Sequence, residues 1–362
     1  MRILFISRSL PYIGGREIVL EYLLKYFSKI SNVLLLSPDK GTKRKNVTRF
    51  DMNKPLDKIE DFVKKSKPDL INCHTFYHAG ISIHLARKFS IPLILTLHGV
   101  FTKNYGKDYC GLLRKIYYSS TCVSTVSKNY KYALISLLKI PKKKRNCIKL
   151  IRNGVDTSSK GCLNKDKLRS RYRLPLTKKI IIVPARLNKL KGLDYAIEAA
   201  KSFNKNTIFL VCSPKGRNLE EEYLYKRRLL KKVKNGKAKV IFRAYTRREL
   251  LTLYKVSDIC LLPSLIEGIS ISILDAMALG IPVIATRTGG NIEIIRDNLN
   301  GFLIKPKNTE EIVRKIKFVL NMDSKNVTSI TNRAKKTIKT DFSSKGMLES
   351  YQKLFNQVIK SN

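Results

Sequence analysis

Two acidic side chains, Glu267 and Asp275, stand eight positions apart in a segment whose residue types suit ligand binding. Gly268 follows the first of them and lets the backbone approach a ligand closely. A helix is expected to begin at about Ile269, and its first free N–H groups would suit a phosphate. An anion site between two carboxylates suits a nucleotide-diphosphate sugar, because carboxylates accept hydrogen bonds from sugar and ribose hydroxyls.

The elements that must position this segment are predicted by short apolar runs alternating with helical patterns. The first strand series is Ile3–Ile6, Val33–Leu36, Leu70–Cys73, Leu93–Leu97, Cys122–Thr125 and Ile148–Leu150. The second is Ile180–Pro184, Thr207–Cys212, Lys239–Phe242, Ile259–Leu262 and Val283–Ala285. The predicted helices include Glu17–Phe27, Ile59–Lys65 and Ala79–Phe89, and the pattern after residue 307 is helical. Such alternation predicts parallel strands in two doubly wound α/β domains, with the ligand at the strands' carboxyl ends.

The length of 362 residues suits two domains. We expect an N-terminal domain over 1–160, a polar linker over 161–177, a C-terminal domain over 178–342 and a final helix over 343–362. The N-terminal residues predict a strand and not a signal peptide, and no run of eighteen apolar residues predicts a membrane span. The seven cysteines form no C-x-x-C pair, which favours a reducing cytoplasm and argues against structural zinc.

The formal net charge of +45 is spread over both halves of the chain. Nucleic acid, an anionic membrane surface and a polyanionic acceptor could each exploit such a field, and a lysine-rich solvated surface is the alternative without a partner. Basic residues and tyrosines interleave in one stretch, which fits membrane contact or single-stranded nucleic acid, or a solvated helix face. Its members are Lys103, Tyr105, Lys107, Tyr109, Arg114, Lys115, Tyr117, Tyr118, Lys128, Tyr130, Lys131, Tyr132 and the run 142–145.

Residues 263–286 resemble the donor-site signature of the family 4 retaining glycosyltransferases, which have the GT-B fold of two facing Rossmann-like domains with a deep interdomain cleft. The family pattern is Glu, seven residues and Glu, in a Pro-Ser…Glu-Gly…Ala-Met-Ala-x-Gly-x-Pro-Val-Ile-Ala frame. Here the second Glu is replaced by Asp275. The resemblance implies that Glu267 holds sugar hydroxyls, that Asp275 holds the ribose, and that the final helix crosses back onto the first domain.

The resemblance extends to other positions and implies their roles. Catalytic roles fall on His98, Glu267, Arg186 and Lys191, with the two cations neutralising the donor diphosphate and His98 contacting the donor sugar. His74 is expected to line the acceptor side. Donor-binding roles fall on Gly14, Gly15, Gly268, Ile269, Ser270, Ile271, Asp275, Gly289 and Gly290.

The sequence therefore predicts a retaining hexosyltransferase that uses a nucleotide-diphosphate sugar, UDP- or GDP-linked, without a metal or other cofactor. The acceptor is expected to be a hydroxyl of a glycan, a lipid-linked sugar or a polymer. Two alternatives stay open: a nucleotide-sugar epimerase on the same architecture, and a basic nucleic-acid-binding protein. The sequence contains no nucleic-acid recognition motif, which argues against nucleic acid as a partner. The expected location is the cytoplasm, with peripheral attachment to the inner face of the membrane left open.

Overall fold

The computed structural model describes residues 1–8, 14–38, 45–99, 107–157, 164–215, 220–233 and 237–361. The chain divides into two compact units, Met1–Asn153 with Ser344–Asn362, and Gly154–Ser343. The segment 161–177, expected to be a linker, contains a helix, Lys165–Arg171, that belongs to the second unit and has the Asn164 side chain as its N-cap.

The first unit is built on a seven-stranded parallel sheet. Its strands are β1 (Arg2–Ile6), β2 (Asn32–Ser37), β3 (Val47–Asp51), β4 (Leu70–Cys73), β5 (Leu93–Leu97), β6 (Cys122–Thr125) and β7 (Ile148–Leu150). The strand order is β3-β2-β1-β4-β5-β6-β7, so the order reverses between β1 and β4. Its helices are α1 (Gly15–Phe27), α2 (Leu56–Ser66), α3 (Ala79–Lys88), α4 (Lys107–Ser119) and α5 (Lys128–Leu137). Two short 3-10 helices cover Phe76–His78 and Lys142–Cys147.

The second unit repeats this plan with a six-stranded parallel sheet. Its helices are α6 (Lys165–Arg171), α7 (Leu193–Ala200), α8 (Glu220–Val233), α9 (Arg247–Val256), α10 (Ile271–Ala278), α11 (Asn291–Ile294), α12 (Thr309–Leu320) and α13 (Ser324–Asp341). Its strands are β8 (Lys179–Pro184), β9 (Thr207–Pro214), β10 (Lys239–Tyr245), β11 (Ile259–Leu262), β12 (Val283–Thr286) and β13 (Phe302–Ile304). The strand order β10-β9-β8-β11-β12-β13 reverses between β8 and β11. A 3-10 helix, Lys189–Lys191, follows β8.

The last helix, α14 (Ser344–Lys360), belongs to the first unit although it follows the second in sequence. Its Phe355 ring lies 5.1 Å from Phe27 of α1 and 6.2 Å from Phe5 of β1, measured between ring centroids. Tyr26 donates a 2.7 Å hydrogen bond to Gln352. Burial of these aromatic rings in the core of the first unit anchors the helix there.

Every strand of the two predicted series is present, which confirms the α/β class, and two strands were not predicted. β3 is an edge strand with only partly buried side chains, and β13 has three residues. The helix expected at about Ile269 begins two residues later, because Ser270 is its extended N-cap.

Candidate functional site

The predicted side chains and glycines follow the carboxyl ends of strands at the reversal in each sheet or next to it. In the first unit, Gly14 is the N-cap of α1 and Gly15 its first residue, His74 directly follows β4, and His98 directly follows β5. In a parallel sheet this edge is where ligands bind, at the point where the strand order reverses.

In the second unit, one carboxylate collects two donors. Glu267 lies in the loop after β11 and is 8% exposed. Lys191, at the end of the 3-10 helix after β8, donates a 2.5 Å hydrogen bond from Nζ to Glu267 Oε1. Ser264 Oγ donates to the same oxygen at 2.7 Å. Lys191, expected to face a diphosphate, is therefore ion-paired with the carboxylate expected to hold the sugar, and the two donors fix the orientation of that carboxylate.

Glycine is required where three loops of this unit meet. Gly289 has a φ of +48° and Gly192 a φ of +63°, a left-handed conformation that other residues rarely adopt. A Cβ on Gly289 would overlap the carbonyl of Glu267, and one on Gly290 would overlap the carbonyl of Gly268. The Gly289–Gly290 turn is thus packed directly on the backbone of the Glu267 loop, and Gly290 N donates to Glu267 O at 3.4 Å.

Asp275 has a partner that the sequence analysis did not identify. Asp275 lies in α10 and is 3% exposed, and both of its carboxylate oxygens accept hydrogen bonds from the guanidinium of Arg247. Burial raises the pKa of Asp275 above its ordinary value, and the pair with Arg247 offsets part of that rise. The carboxylate expected to bind ribose is therefore engaged by a bidentate protein cation.

A signal for Arg247 was present in the sequence, although it was not used. Arg247 is the first residue of α9, directly after the carboxyl end of β10, where Thr246 and Glu249 form a capping box. A Ser/Thr-x-x-Glu pattern after an apolar run marks a helix start, and at this edge of the sheet a helix start faces the ligand side. One arginine among 72 basic residues carries little weight without that placement.

The remaining predicted residues of this unit fall into two groups. Arg186 is partly exposed two residues after β8, and its backbone carbonyl accepts from Asn188 N at 2.9 Å. Ile269, Ser270 and Ile271 lead into α10 and are buried. The apolar side chains of the two isoleucines pack in the protein, so their contact with a polar ligand would be through the backbone.

In the first unit, the predicted acceptor-side residue is buried instead. His74 is 1% exposed, and its Nδ1 lies 2.9 Å from Nε2 of His98. Its ring is covered and its partners are protein groups, and its role on the acceptor side stays a prediction. Burial, reinforced by the charge of Arg16, lowers the pKa of His74 to about 3. Burial, together with His74 and Arg16, holds the pKa of His98 well below its ordinary value.

The first turn of α1 carries its own ion pair. Arg16 donates a 3.0 Å hydrogen bond from Nε to Glu17 Oε1, and the Glu17 side chain is buried. Gly14 is the extended N-cap of this helix, and its carbonyl accepts from Ile18 N at 3.1 Å. Arg16 was not among the predicted site residues, yet its charge acts on both histidines.

The basic and tyrosine-rich stretch divides between core and surface. Tyr117 and Tyr130 are buried, whereas Tyr118 is 45% and Tyr132 64% exposed. The exposed residues Leu112, Tyr118, Tyr132 and 142–145 are called the basic aromatic surface below. Lys144 Nζ lies 4.9 Å from the centroid of the Tyr118 ring, within range of a cation–π interaction. Lys103 and Tyr105 lie outside the described residues, as does the side chain of Lys107.

The described part of the chain lacks two other features. No three His, Cys, Asp or Glu side chains there are grouped so that they could hold a metal ion. No helix there is both long and apolar enough to cross a membrane.

Comparison with known proteins identifies relatives of both halves of the chain. The model of glycosyltransferase family 4 matches residues 14–159, and the model of glycosyl transferases group 1 matches residues 164–337. An uncharacterized glycosyltransferase of Methanocaldococcus jannaschii is 28% identical over 307 residues, which cover 81% of this chain and 76% of that protein.

The names of two further similar proteins state a substrate or a bound ligand. The UDP-Gal:alpha-D-GlcNAc-diphosphoundecaprenol alpha-1,3-galactosyltransferase of Escherichia coli is 24% identical over 301 residues, covering 78% of this chain and 75% of that protein. The Anabaena protein HepE, solved in complex with UDP-glucose, superposes with a TM-score of 0.83 at 20% identity and covers 100% of both chains. At that identity the second similarity shows the fold alone.

Proposed function

Since the chain is a family 4-like glycosyltransferase with the GT-B fold, we propose that it transfers a hexose with retention from a nucleotide-diphosphate sugar to an acceptor hydroxyl. The proposal rests on the Lys191–Glu267 ion pair at the carboxyl edge of the second sheet, where the Gly289–Gly290 turn packs on the backbone of the Glu267 loop. One relative supports UDP as the nucleotide, because it is named for UDP-galactose.

The second unit supplies the donor site in this proposal. Glu267, oriented by Lys191 and Ser264, accepts hydrogen bonds from sugar hydroxyls. Lys191 and Arg186 follow the same strand and place positive charge where the diphosphate develops negative charge as it leaves. The N–H groups that begin α10 add to that stabilisation.

Positioning and electrostatics carry the reaction, without a separate protein base. Binding the acceptor hydroxyl next to the anomeric carbon removes the entropic cost of their meeting. Attack from the face of the leaving phosphate retains the anomeric configuration, and that phosphate assists removal of the acceptor's proton. Two cations and a helix N-terminus take the place of a metal ion, so turnover is expected to persist in a chelator such as EDTA.

A lipid-linked acceptor at an anionic membrane fits the charge and exposure of the first unit. The basic aromatic surface combines lysines, which anionic lipids attract, with exposed tyrosines and a leucine, which favour headgroup depth. The E. coli relative is named for an acceptor of the diphosphoundecaprenol class. We therefore propose that this surface contacts anionic lipid and that the acceptor is presented from the membrane.

Nucleotide release from a panel of UDP-, GDP- and ADP-sugars tests the transfer reaction. The wild-type protein is expected to release nucleotide from one donor class, faster when a suitable acceptor is present. Glu267→Ala is expected to lower kcat/KM by at least about a hundredfold, because it removes sugar contacts and leaves the partly buried Lys191 charge without its partner.

The matched control is Glu310→Ala, which makes the same chemical change on the exposed first turn of α12. It is expected to behave like the wild type. Wild-type turnover by Glu267→Ala would contradict the assignment of the donor site. Acceptor-independent conversion of the sugar without transfer would instead indicate an epimerase.

A further inference from the structure

A row of buried polar side chains crosses three adjacent strands of the first sheet. Asn72 on β4, Thr96 on β5 and Ser124 on β6 are all buried. Thr96 is paired with Ser124 in the strand register, and their hydroxyls lie 2.8 Å apart. Buried polar groups are costly unless they are hydrogen-bonded, so this row has a defined arrangement.

The row fixes the orientation of the Asn72 amide. Its Nδ2 donates to the backbone carbonyl of Ile94 at 3.1 Å and to Thr96 Oγ1 at 3.0 Å. Because a carbonyl oxygen can only accept, the nitrogen must face Ile94, and the amide oxygen must face the other way. That oxygen lies 2.7 Å from His74 Nε2. His74 therefore carries its proton on Nε2, since only a donor can bond to the amide oxygen.

The position of the proton on His74 determines the position of the proton on His98. With its proton on Nε2, neutral His74 presents Nδ1 as an acceptor, and the partner at 2.9 Å is Nε2 of His98. His98 then donates from Nε2 and has no proton on its own Nδ1. Burial lowers the pKa of both rings and so favours their neutral forms at neutral pH.

The His74 ring is also fixed by aromatic packing. Phe5 of β1 and Tyr351 of α14 lie near it, with ring centroids 6.0 Å and 6.3 Å away. The His74 and His98 rings are themselves stacked, with centroids 5.1 Å apart. Hydrogen bonds at both nitrogens and ring contacts on its faces leave His74 a single orientation.

We propose that Asn72 and His74 are positioning residues that hold His98 in its Nε2–H tautomer, so that His98 Nδ1 faces the ligand as an obligate hydrogen-bond acceptor. Within the described residues, His98 Nδ1 is buried and has no hydrogen-bond partner. A buried acceptor of this kind favours a ligand that donates, and a hydroxyl of the transferred sugar is such a donor. The identity of that ligand rests on the function proposed above.

The tautomer can be measured without any activity. Long-range ¹H–¹⁵N spectra of protein labelled in its four histidines report which ring nitrogen carries the proton. Single His→Gln variants assign the signals. His74 and His98 are both expected to be neutral at pH 7, with protons on Nε2. A proton on Nδ1 of His98, or a doubly protonated ring, would overturn the proposal whether or not the protein turns over a nucleotide-sugar.

Variants at His74 connect the tautomer to specificity. In His74→Gln the amide can donate to Asn72 and accept from His98, so the His98 tautomer and kcat/KM are expected to stay within about threefold of the wild type. In His74→Phe the ring is kept but both hydrogen bonds are lost. The His98 tautomers are then expected to mix, and donor kcat/KM to fall about tenfold to a hundredfold, the effect of leaving buried groups unpaired.

Monodeoxy donor analogues identify the hydroxyl and complete the test. The wild type is expected to discriminate against one member of the series, and His74→Phe is expected to lose that discrimination. His84→Gln serves as the control, because the hydrogen-bond partner of His84 is Glu60 and not a member of this row. Equal discrimination by wild type and His74→Phe would overturn the specificity role. Failure of every nucleotide-sugar to react would overturn the proposed function, while the spectra would still decide the tautomer.

Discussion

At the residue scale, Asp275, which stands where the resembled family has its second Glu, is paired with Arg247. The shorter carboxylate is buried and met by a guanidinium in bidentate geometry. From the sequence alone, Asp275→Glu is expected to keep or raise donor affinity, because it restores the family residue. The contact with Arg247 reverses that expectation, since an added methylene must displace the guanidinium from a packed site.

We therefore predict that Asp275→Glu weakens donor binding by about tenfold, because the misplaced ion pair costs about 1 to 3 kcal/mol. Arg247→Ala alone is expected to be more harmful, since it leaves the buried Asp275 charge without a partner. Isothermal titration with the donor, or its nucleotide, measures both. In the double variant Asp275→Glu, Arg247→Ala, the added methylene gains room, and part of the affinity is expected to return. Donor affinity of Asp275→Glu equal to that of the wild type would contradict this coupling.

The histidines show what sequence reasoning lacks at this scale. Placement after a strand identified His74 and His98 as residues of the ligand edge, and both lie there. Their roles depend on Asn72, Thr96 and Ser124, which are unremarkable polar residues within apolar runs. Only the register of three parallel strands aligns them, and register between distant segments is not encoded in the spacing of either one.

At the element scale, the strands were largely predictable because parallel strands buried on both faces read as continuous apolar runs. β3 fails this rule, as an edge strand whose side chains are only partly buried. The glycine turns were predicted as ligand-facing loops, but the structure adds a packing reason. Gly289 and Gly290 are needed because the backbone of the Glu267 loop occupies the space of a Cβ.

We predict that Gly289→Ala destabilises the second unit by about 2 to 4 kcal/mol, from left-handed strain and overlap with the Glu267 carbonyl together. Calorimetry is expected to show a lower unfolding temperature, and displacement of the Glu267 loop is expected to weaken donor binding. The control is Gly111→Ala in α4, where a Cβ meets open space and alanine favours the helix. An unchanged unfolding temperature for Gly289→Ala would show that the turn is not packed in this way.

At the scale of the whole molecule, the charge of +45 concerns association with other molecules and not the fold. Both sheets can be explained without it, since their cores are apolar. A diffuse basic excess does not identify a surface from sequence. In the structure Tyr117 and Tyr130 are buried, Tyr118 and Tyr132 are exposed, and the Tyr118 ring contacts Lys144 of the run 142–145.

Flotation with liposomes tests whether that surface meets anionic lipid. Binding to vesicles rich in phosphatidylglycerol is expected at low salt and release at high salt, with no binding to phosphatidylcholine alone. Substituting Gln for Lys142, Lys143 and Lys144 is expected to weaken binding by up to about a hundredfold, because each lysine near an anionic surface contributes about 1 kcal/mol. The matched control makes the same change at three exposed lysines of α13, Lys325, Lys336 and Lys339. An equal loss in both triple variants would mean that net charge alone governs binding, and the basic aromatic surface would then have no special role.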